Sequence, residues 1–129
     1  MMRLFFLATD FGFIAYWLIA AFADLPPEYL FKDYGNPILT AWNWSFLPLD
    51  LMISATGLSC LWLSKRHPAL SDGLAIISLT LTFCSGLQAI AFWAIRGDYS
   101  PSWWAMNLYL LIYPWFFLIP KLRSLKPFP

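Results

Sequence analysis

Two carboxylates, Asp10 and Asp50, each lie inside an otherwise apolar stretch of the chain. A carboxylate at the centre of a bilayer costs about 2.5–3.5 kcal/mol on insertion scales, so it needs water or a compensating partner. With a rise of about 1.5 Å per residue, Asp10 should lie about 10 Å inward from Arg3, and Asp50 near the middle of its own stretch. We therefore expect the two carboxyl groups to be adjacent at similar depth, where they could share a proton or a cation.

Polar and small residues continue along the stretch that contains Asp50. Four of them recur at spacings of seven, four and three residues, on one helical face: Asn43, Asp50, Ser54 and Gly57. Pro48 cannot donate a hydrogen bond to the carbonyl of Trp44, so we predict a local kink there. The freed carbonyl could contact a cation or ligand, mark a hinge, or accompany a bend that improves packing.

Further polar side chains fall in the same half of the predicted bundle. Gln88 is expected to hydrogen bond across the bundle to Asp50 or Asn107, and Arg96 could reach down towards these residues or pair with Asp98. The candidate ligand-binding residues are Asp10, Asp50, Asn43, Gln88, Asn107 and Trp44. The alternative is a closed, hydrogen-bonded core that only specifies packing.

Other site chemistries find no support in the residue types. His67 is the single histidine and lies in a basic polar segment, so we predict no metal site and no histidine-based nucleophile. Cys60 and Cys84 form no Cys-x-x-Cys motif, and their expected depths differ, which argues against a disulfide. We predict no catalytic residues and no cofactor.

The composition requires an apolar environment. The chain has 129 residues, of which 60% are hydrophobic and 12% charged, whereas soluble domains carry about 25% charged residues. Four stretches reach the length of about 20 residues that a spanning helix needs: about 4–22, 38–63, 74–95 and 103–120. They are continuously apolar, which favours helices over barrel strands. We predict an all-α, four-helix transmembrane bundle, with residues 1–129 as one membrane domain.

The first stretch resembles a signal peptide, but its length argues that it is retained. It is about 19 residues long, whereas the apolar region of a signal peptide has about 7–15. It also contains Asp10, and no Ala-x-Ala site precedes the turn that follows it. We expect it to be the first span.

Basic residues predict the orientation. Six of the eight Lys and Arg residues fall on one side of the predicted spans: Arg3, Lys65, Arg66, Lys121, Arg123 and Lys126. The positive-inside rule places that side, and both termini, in the cytoplasm. We expect a multi-pass protein of the bacterial inner membrane whose partner is the lipid bilayer. The net charge of +1 gives no sign of a nucleic-acid partner, and a homodimer stays open.

Two motif-rich regions carry a resemblance to a known family. The first comprises Tyr29-Leu30-Phe31-Lys32-Asp33-Tyr34, Asn36-Pro37 and the run from Trp42 to Asp50. The second runs from Thr82 to Trp93 and on through Ile95-Arg96-Gly97-Asp98. Together they resemble the YvaD-like bacterial membrane proteins. The resemblance implies a four-helix inner-membrane protein and carries over no catalytic residue.

Three classes of function are consistent with these features. The intramembrane acids favour a protein that binds or transports a small amphipathic or cationic molecule. A non-catalytic membrane scaffold or accessory subunit would need only the packing role of the polar residues. An isomerase-like enzyme acting on a lipid-soluble substrate would use Asp10 and Asp50 as an acid/base pair, but the chain shows no accompanying catalytic motif.

Overall fold

The computed structural model describes residues 1–23, 26 and 33–124, and these contain helices but no strand. There are five helices: α1 Met2–Phe22, α2 Pro37–Trp44, α3 Phe46–Leu63, α4 Pro68–Ile95 and α5 Pro101–Ser124. Because α2 and α3 form one long helix with a break, four helices are long and apolar enough to cross a membrane. The prediction of an all-α chain with four such helices is confirmed. Lys32 and Lys126 lie outside the described residues.

The break between α2 and α3 lies where the sequence predicts a kink. Asn36 caps the start of α2, with its side-chain oxygen accepting hydrogen bonds from the backbone N–H groups of Ile38 and Leu39. Ser45 separates the two helices, three residues before Pro48, although its own N–H still donates to the carbonyl of Ala41 at 3.0 Å. Because proline has no N–H group, the carbonyl of Trp44 loses its normal partner. The backbone at Ser45 keeps right-handed helical angles, φ −67° and ψ −17°.

Helix α4 begins at Pro68, about six residues earlier than predicted. Proline is favoured in the first turn, where its missing N–H would have no helical partner. The polar residues that suggested a loop are used in packing: Ser71 is buried and donates a hydrogen bond to the carbonyl oxygen of Cys60 at 2.9 Å. Cys60 is buried and Cys84 exposed, and neither forms a disulfide.

The helices pack in the order α1, α3, α4, α5, each against the next. Within the described residues the backbones of α1 and α5 do not pack closely together. Aromatic side chains bridge them instead, with the ring of Phe5 5.1 Å from that of Tyr113 and 5.3 Å from that of Phe117. The bundle is therefore tightly closed on three sides and joined by side chains on the fourth.

Charged residues distinguish the two ends of the bundle. The basic end carries Arg3, Lys65, Arg66, Lys121 and Arg123. The acidic end carries Asp33 and Asp98 together with Arg96. The guanidinium of Arg96 pairs with Asp33 at 3.3 Å, which corrects the expected partner Asp98. The pair is solvent-exposed, so it contributes at most about 1 kcal/mol.

Candidate functional site

A cavity of about 490 Å³ lies between all four long helices, in the half nearer the acidic end. Its volume is in the range of about 300–1,000 Å³ that is typical of small-molecule sites. Eight aromatic residues line it: Phe13, Tyr16, Trp17, Trp42, Phe46, Trp93, Trp103 and Tyr109. The polar residues among its lining are Thr9, Asn43, Asp50, Ser85 and Asn107. The site is an aromatic chamber with few polar groups.

Asp50 is the one acidic residue among those that line the cavity in the described part of the chain. The indole N–H of Trp17 donates to its Oδ2 at 2.9 Å, and the hydroxyl of Ser85 donates to its Oδ1 at 3.4 Å. The residue is only 4% exposed. Both donors are neutral, and no lining residue of the described chain is Lys or Arg. The carboxyl is therefore oriented by hydrogen bonds without a counter-charge.

A second polar contact lies nearer the acidic end. The side-chain amide of Asn43 donates to the hydroxyl oxygen of Tyr16 at 3.2 Å, which joins α1 to α2. Asn107 also lines the cavity, and its amide donates to the backbone carbonyl of Trp103, one turn earlier, at 2.7 Å. Three of the predicted site residues, Asn43, Asp50 and Asn107, are thus brought to one cavity.

The expected pairing of the two acids is wrong. Asp10 is fully buried, but it lies against Gly57, where a built Cβ would be 2.9 Å from the carboxyl carbon. Gly57 follows Asp50 by seven residues, which is about 10 Å along the helix. Asp50 and Asp10 are therefore about two turns apart, with Asp10 beneath the cavity and absent from its lining. The depth estimate set the two carboxyl groups too close: counted from the basic end, Asp10 is six residues into the first predicted span, whereas Asp50 is thirteen residues from the end of the second.

Neither carboxylate oxygen of Asp10 has a hydrogen-bond partner among the described residues. The nearby hydroxyl of Ser54 donates to the backbone carbonyl of Asp10 instead, at 3.1 Å. Because Gly57 has no Cβ, there is room for the carboxyl group against it. Asp10 therefore packs between α1 and α3.

Besides Asp10, two predicted site residues do not reach the cavity. Gln88 is exposed on α4 and is absent from the lining, while the carboxyl of Asp50 accepts from Trp17 and Ser85. Trp44 is 36% exposed and packs against Trp17 in a tilted arrangement, with ring centroids 5.2 Å apart. A continuously apolar span has no hydrophobic periodicity that shows which face is buried. The sequence therefore could not show that Gln88 and Trp44 point away from the cavity.

Trp17 and Ser85 are the functional residues that the sequence interpretation missed. An indole N–H inside an apolar span needs an acceptor, and the Asp50 carboxylate is the acceptor it finds. That requirement is the signal that could have identified Trp17. Ser85 was assigned to helix packing because small hydroxyl residues usually serve that role; its hydrogen bond to Asp50 depends on the rotation of α4.

The chain was compared with known families and proteins. A family of unknown function, DUF5360, matches residues 2–126. The chain belongs to the DUF5360 family. Its similarity to the uncharacterized protein YvaD of Bacillus subtilis (strain 168) is 53% identity over 117 residues, covering 91% of this chain and 88% of that protein. The resemblance to YvaD-like proteins is confirmed.

The match to DUF5360 includes every residue that lines the cavity, since these lie between Ala8 and Leu110. No solved structure matches this DUF5360 chain. Function must therefore be inferred from the chamber itself.

Proposed function

We propose that this protein is a multi-pass inner-membrane protein that binds a small amphipathic cation in the chamber, with Asp50 as the residue that recognises its charge. The observation that carries the proposal is a carboxyl group on the wall of an aromatic cavity, held by two neutral donors and facing no basic side chain in the described lining. A ligand with a positive charge would supply the counter-charge that the Asp50 carboxyl lacks in the described lining.

The aromatic wall suits the same class of ligand. A cation within about 6 Å of an aromatic ring face is attracted by the ring's quadrupole, and the effect grows when water is excluded. The ring of Trp17 lies beside the carboxyl that its own N–H orients. Trp42 and Trp93, with ring centroids 5.8 Å apart, add wide apolar surfaces. A carboxyl surrounded by such rings favours a weakly hydrated organic cation over a small inorganic ion.

The distribution of charge supports the membrane orientation. The basic end carries five Lys and Arg residues in the described chain, and the acidic end carries Arg96. Under the positive-inside rule the basic end faces the cytoplasm. Both termini then lie in the cytoplasm, and the chamber lies in the outer half of the bilayer, accessible to molecules that arrive from outside.

Cysteine labelling tests this orientation. In a Cys84→Ala background, with Cys60 left buried, we expect a membrane-impermeant maleimide to label Ser102→Cys in intact cells. Ser64→Cys, at the opposite end of the bundle, should react only after the membrane is permeabilised. Both parent serines are exposed, so access alone decides the result. The reverse pattern, or labelling of both before permeabilisation, would contradict the orientation.

Equilibrium binding of tetraphenylphosphonium to the purified protein in nanodiscs tests the ligand class. Asp50→Asn keeps the shape of the side chain but removes its charge, so we expect at least about ten-fold weaker binding of this cation, equivalent to about 1.4 kcal/mol. The neutral triphenylphosphine oxide should bind the wild type and Asp50→Asn with similar affinity.

Asp10→Asn is the matched control for this measurement. It makes the same chemical change at a buried carboxyl that does not line the chamber, so binding of tetraphenylphosphonium should change less than about two-fold. If the cation binds no better than the neutral compound, or binds Asp50→Asn normally, the proposal is wrong. A bundle that binds neither compound would favour a scaffold whose polar residues only specify packing.

A further inference from the structure

We infer that the chamber opens sideways into the bilayer through a slot between α1 and α5, and that its ligand is a cationic amphiphile with an alkyl chain lying in that slot. The inference rests on the proposed function, because Asp50 is taken to hold the charged head. It adds the class of molecule and the route by which the tail leaves the site.

The side of the bundle between α1 and α5 is packed differently from the other three. The other neighbouring helices pack backbone to backbone, whereas α1 and α5 do not within the described residues. Towards the basic end their gap is filled by rings, including the stacked pair Tyr109 and Tyr113 with centroids 4.7 Å apart. The hydroxyls of Thr9 and Tyr109, 3.2 Å apart, also join the two helices there.

One turn further towards the acidic end, the residues between α1 and α5 include two small ones. There α1 presents Gly12 and α5 presents Ala105 and Met106, which all line the chamber and are all exposed. A Cβ built on Gly12 would meet no atom within 4 Å. Residues that line the chamber and are also exposed define an opening, and the absence of a large side chain at Gly12 and Ala105 keeps it wide.

The surroundings of this opening indicate which kind of ligand it could hold. On the exterior of a membrane bundle the surroundings are acyl chains, so a slot with apolar walls is compatible with a hydrocarbon chain and unfavourable for a polar one. Inside, the slot leads to a chamber that holds the Asp50 carboxyl and aromatic rings. A molecule with a cationic head and an alkyl tail matches both environments in the order in which they occur.

Alkyltrimethylammonium probes test the inference, with binding measured in nanodiscs against protein-free nanodiscs. Tetramethylammonium reports on the head alone, and dodecyltrimethylammonium on head and tail together. Gly12→Leu places a side chain in the slot without a backbone clash. We expect it to weaken binding of the dodecyl probe by at least about ten-fold, as overpacking of a filled site does. Binding of tetramethylammonium, which has no tail, should weaken much less than binding of the dodecyl probe.

Gly73→Leu provides the matched control. Gly73 is also an exposed helical glycine whose added Cβ would meet nothing within 4 Å, but it lies near the start of α4, away from the chamber. It should leave the binding of both probes unchanged. Ala105→Leu narrows the slot from the opposite wall and should reproduce the selective loss, which guards against a folding defect peculiar to Gly12→Leu.

The outcomes separate the two proposals. If Asp50→Asn weakens both probes but Gly12→Leu and Ala105→Leu leave the dodecyl probe unaffected, the slot is wrong and the proposed function stands. If Asp50→Asn weakens neither probe, the proposed function fails. A wild-type dimer that Gly12→Leu dissociates would also overturn the slot, because a second chain would then occupy it.

Discussion

Gly86→Leu is expected to abolish the folded bundle. A Cβ on Gly86 would lie 2.8 Å from the backbone oxygen of Asn107 and 2.9 Å from the carbonyl carbon of Leu110. These are backbone atoms of α5, which cannot turn aside as a side chain can. A larger residue must push α5 away from α4, the pair of helices that forms one corner of the chamber. We expect the purified variant to elute as aggregate rather than as a single species on size-exclusion chromatography.

A graded comparison isolates the close approach of the helices. Gly86→Ala adds one methyl group and should lower the free energy of unfolding by about 1–3 kcal/mol, the usual cost of overpacking. Gly73→Ala makes the same change on the same helix at an open position. It should be neutral or stabilising by up to about 1 kcal/mol, because alanine is the better helix former. Equal effects of the two alanine variants in thermal unfolding would show that Gly86 is not a contact point.

Gly57→Ala is expected to destabilise the contact between α1 and α3, and truncation of Asp10 should relieve the effect. The added Cβ would overlap the carboxyl group of Asp10, which is fully buried, so that the carboxyl group must shift. In Asp10→Ala the carboxyl is gone, so the methyl group at position 57 has room. The double variant should therefore be more stable than Gly57→Ala alone.

A double-mutant cycle measures this coupling. Contacting residues commonly show interaction energies of about 0.5–3 kcal/mol, and we expect the upper part of that range here. Asp10→Ala alone should cost little, since both carboxylate oxygens lack hydrogen-bond partners in the described part of the structure and burying an unsatisfied polar group is unfavourable. Gly12→Ala, at an open position on α1, is the control. Additive effects of the two substitutions would show that the two residues do not touch.

The double-mutant cycle and the binding measurement on Asp10→Asn together distinguish two roles for Asp10. A packing role predicts strong coupling to Gly57 and unchanged cation binding in Asp10→Asn. A ligand role predicts the opposite, and would bring back the two-acid site that the heights of Asp10 and Asp50 argue against.

Features that depend on local composition were predictable from the sequence. The four long helices follow from the length of the apolar stretches, and the break at Ser45 follows from the missing N–H of Pro48. The charge difference between the two ends is a matter of where basic residues fall along the chain. Asn43, Asp50 and Asn107 could be assigned to one half of the bundle by counting along each helix.

The site itself was decided by the tertiary structure. In a helix that is apolar all round, hydrophobic periodicity does not show which face is buried, so the outward rotation of Gln88 and the inward rotation of Trp42 were not readable. Relative height was partly readable, because counting from the basic end sets Asp10 level with Gly57, but the contact itself depends on which faces of α1 and α3 meet. Packing of Gly57 on Asp10 sets the height of α1 against α3, and that offset separates the two acids and brings Trp17 to Asp50.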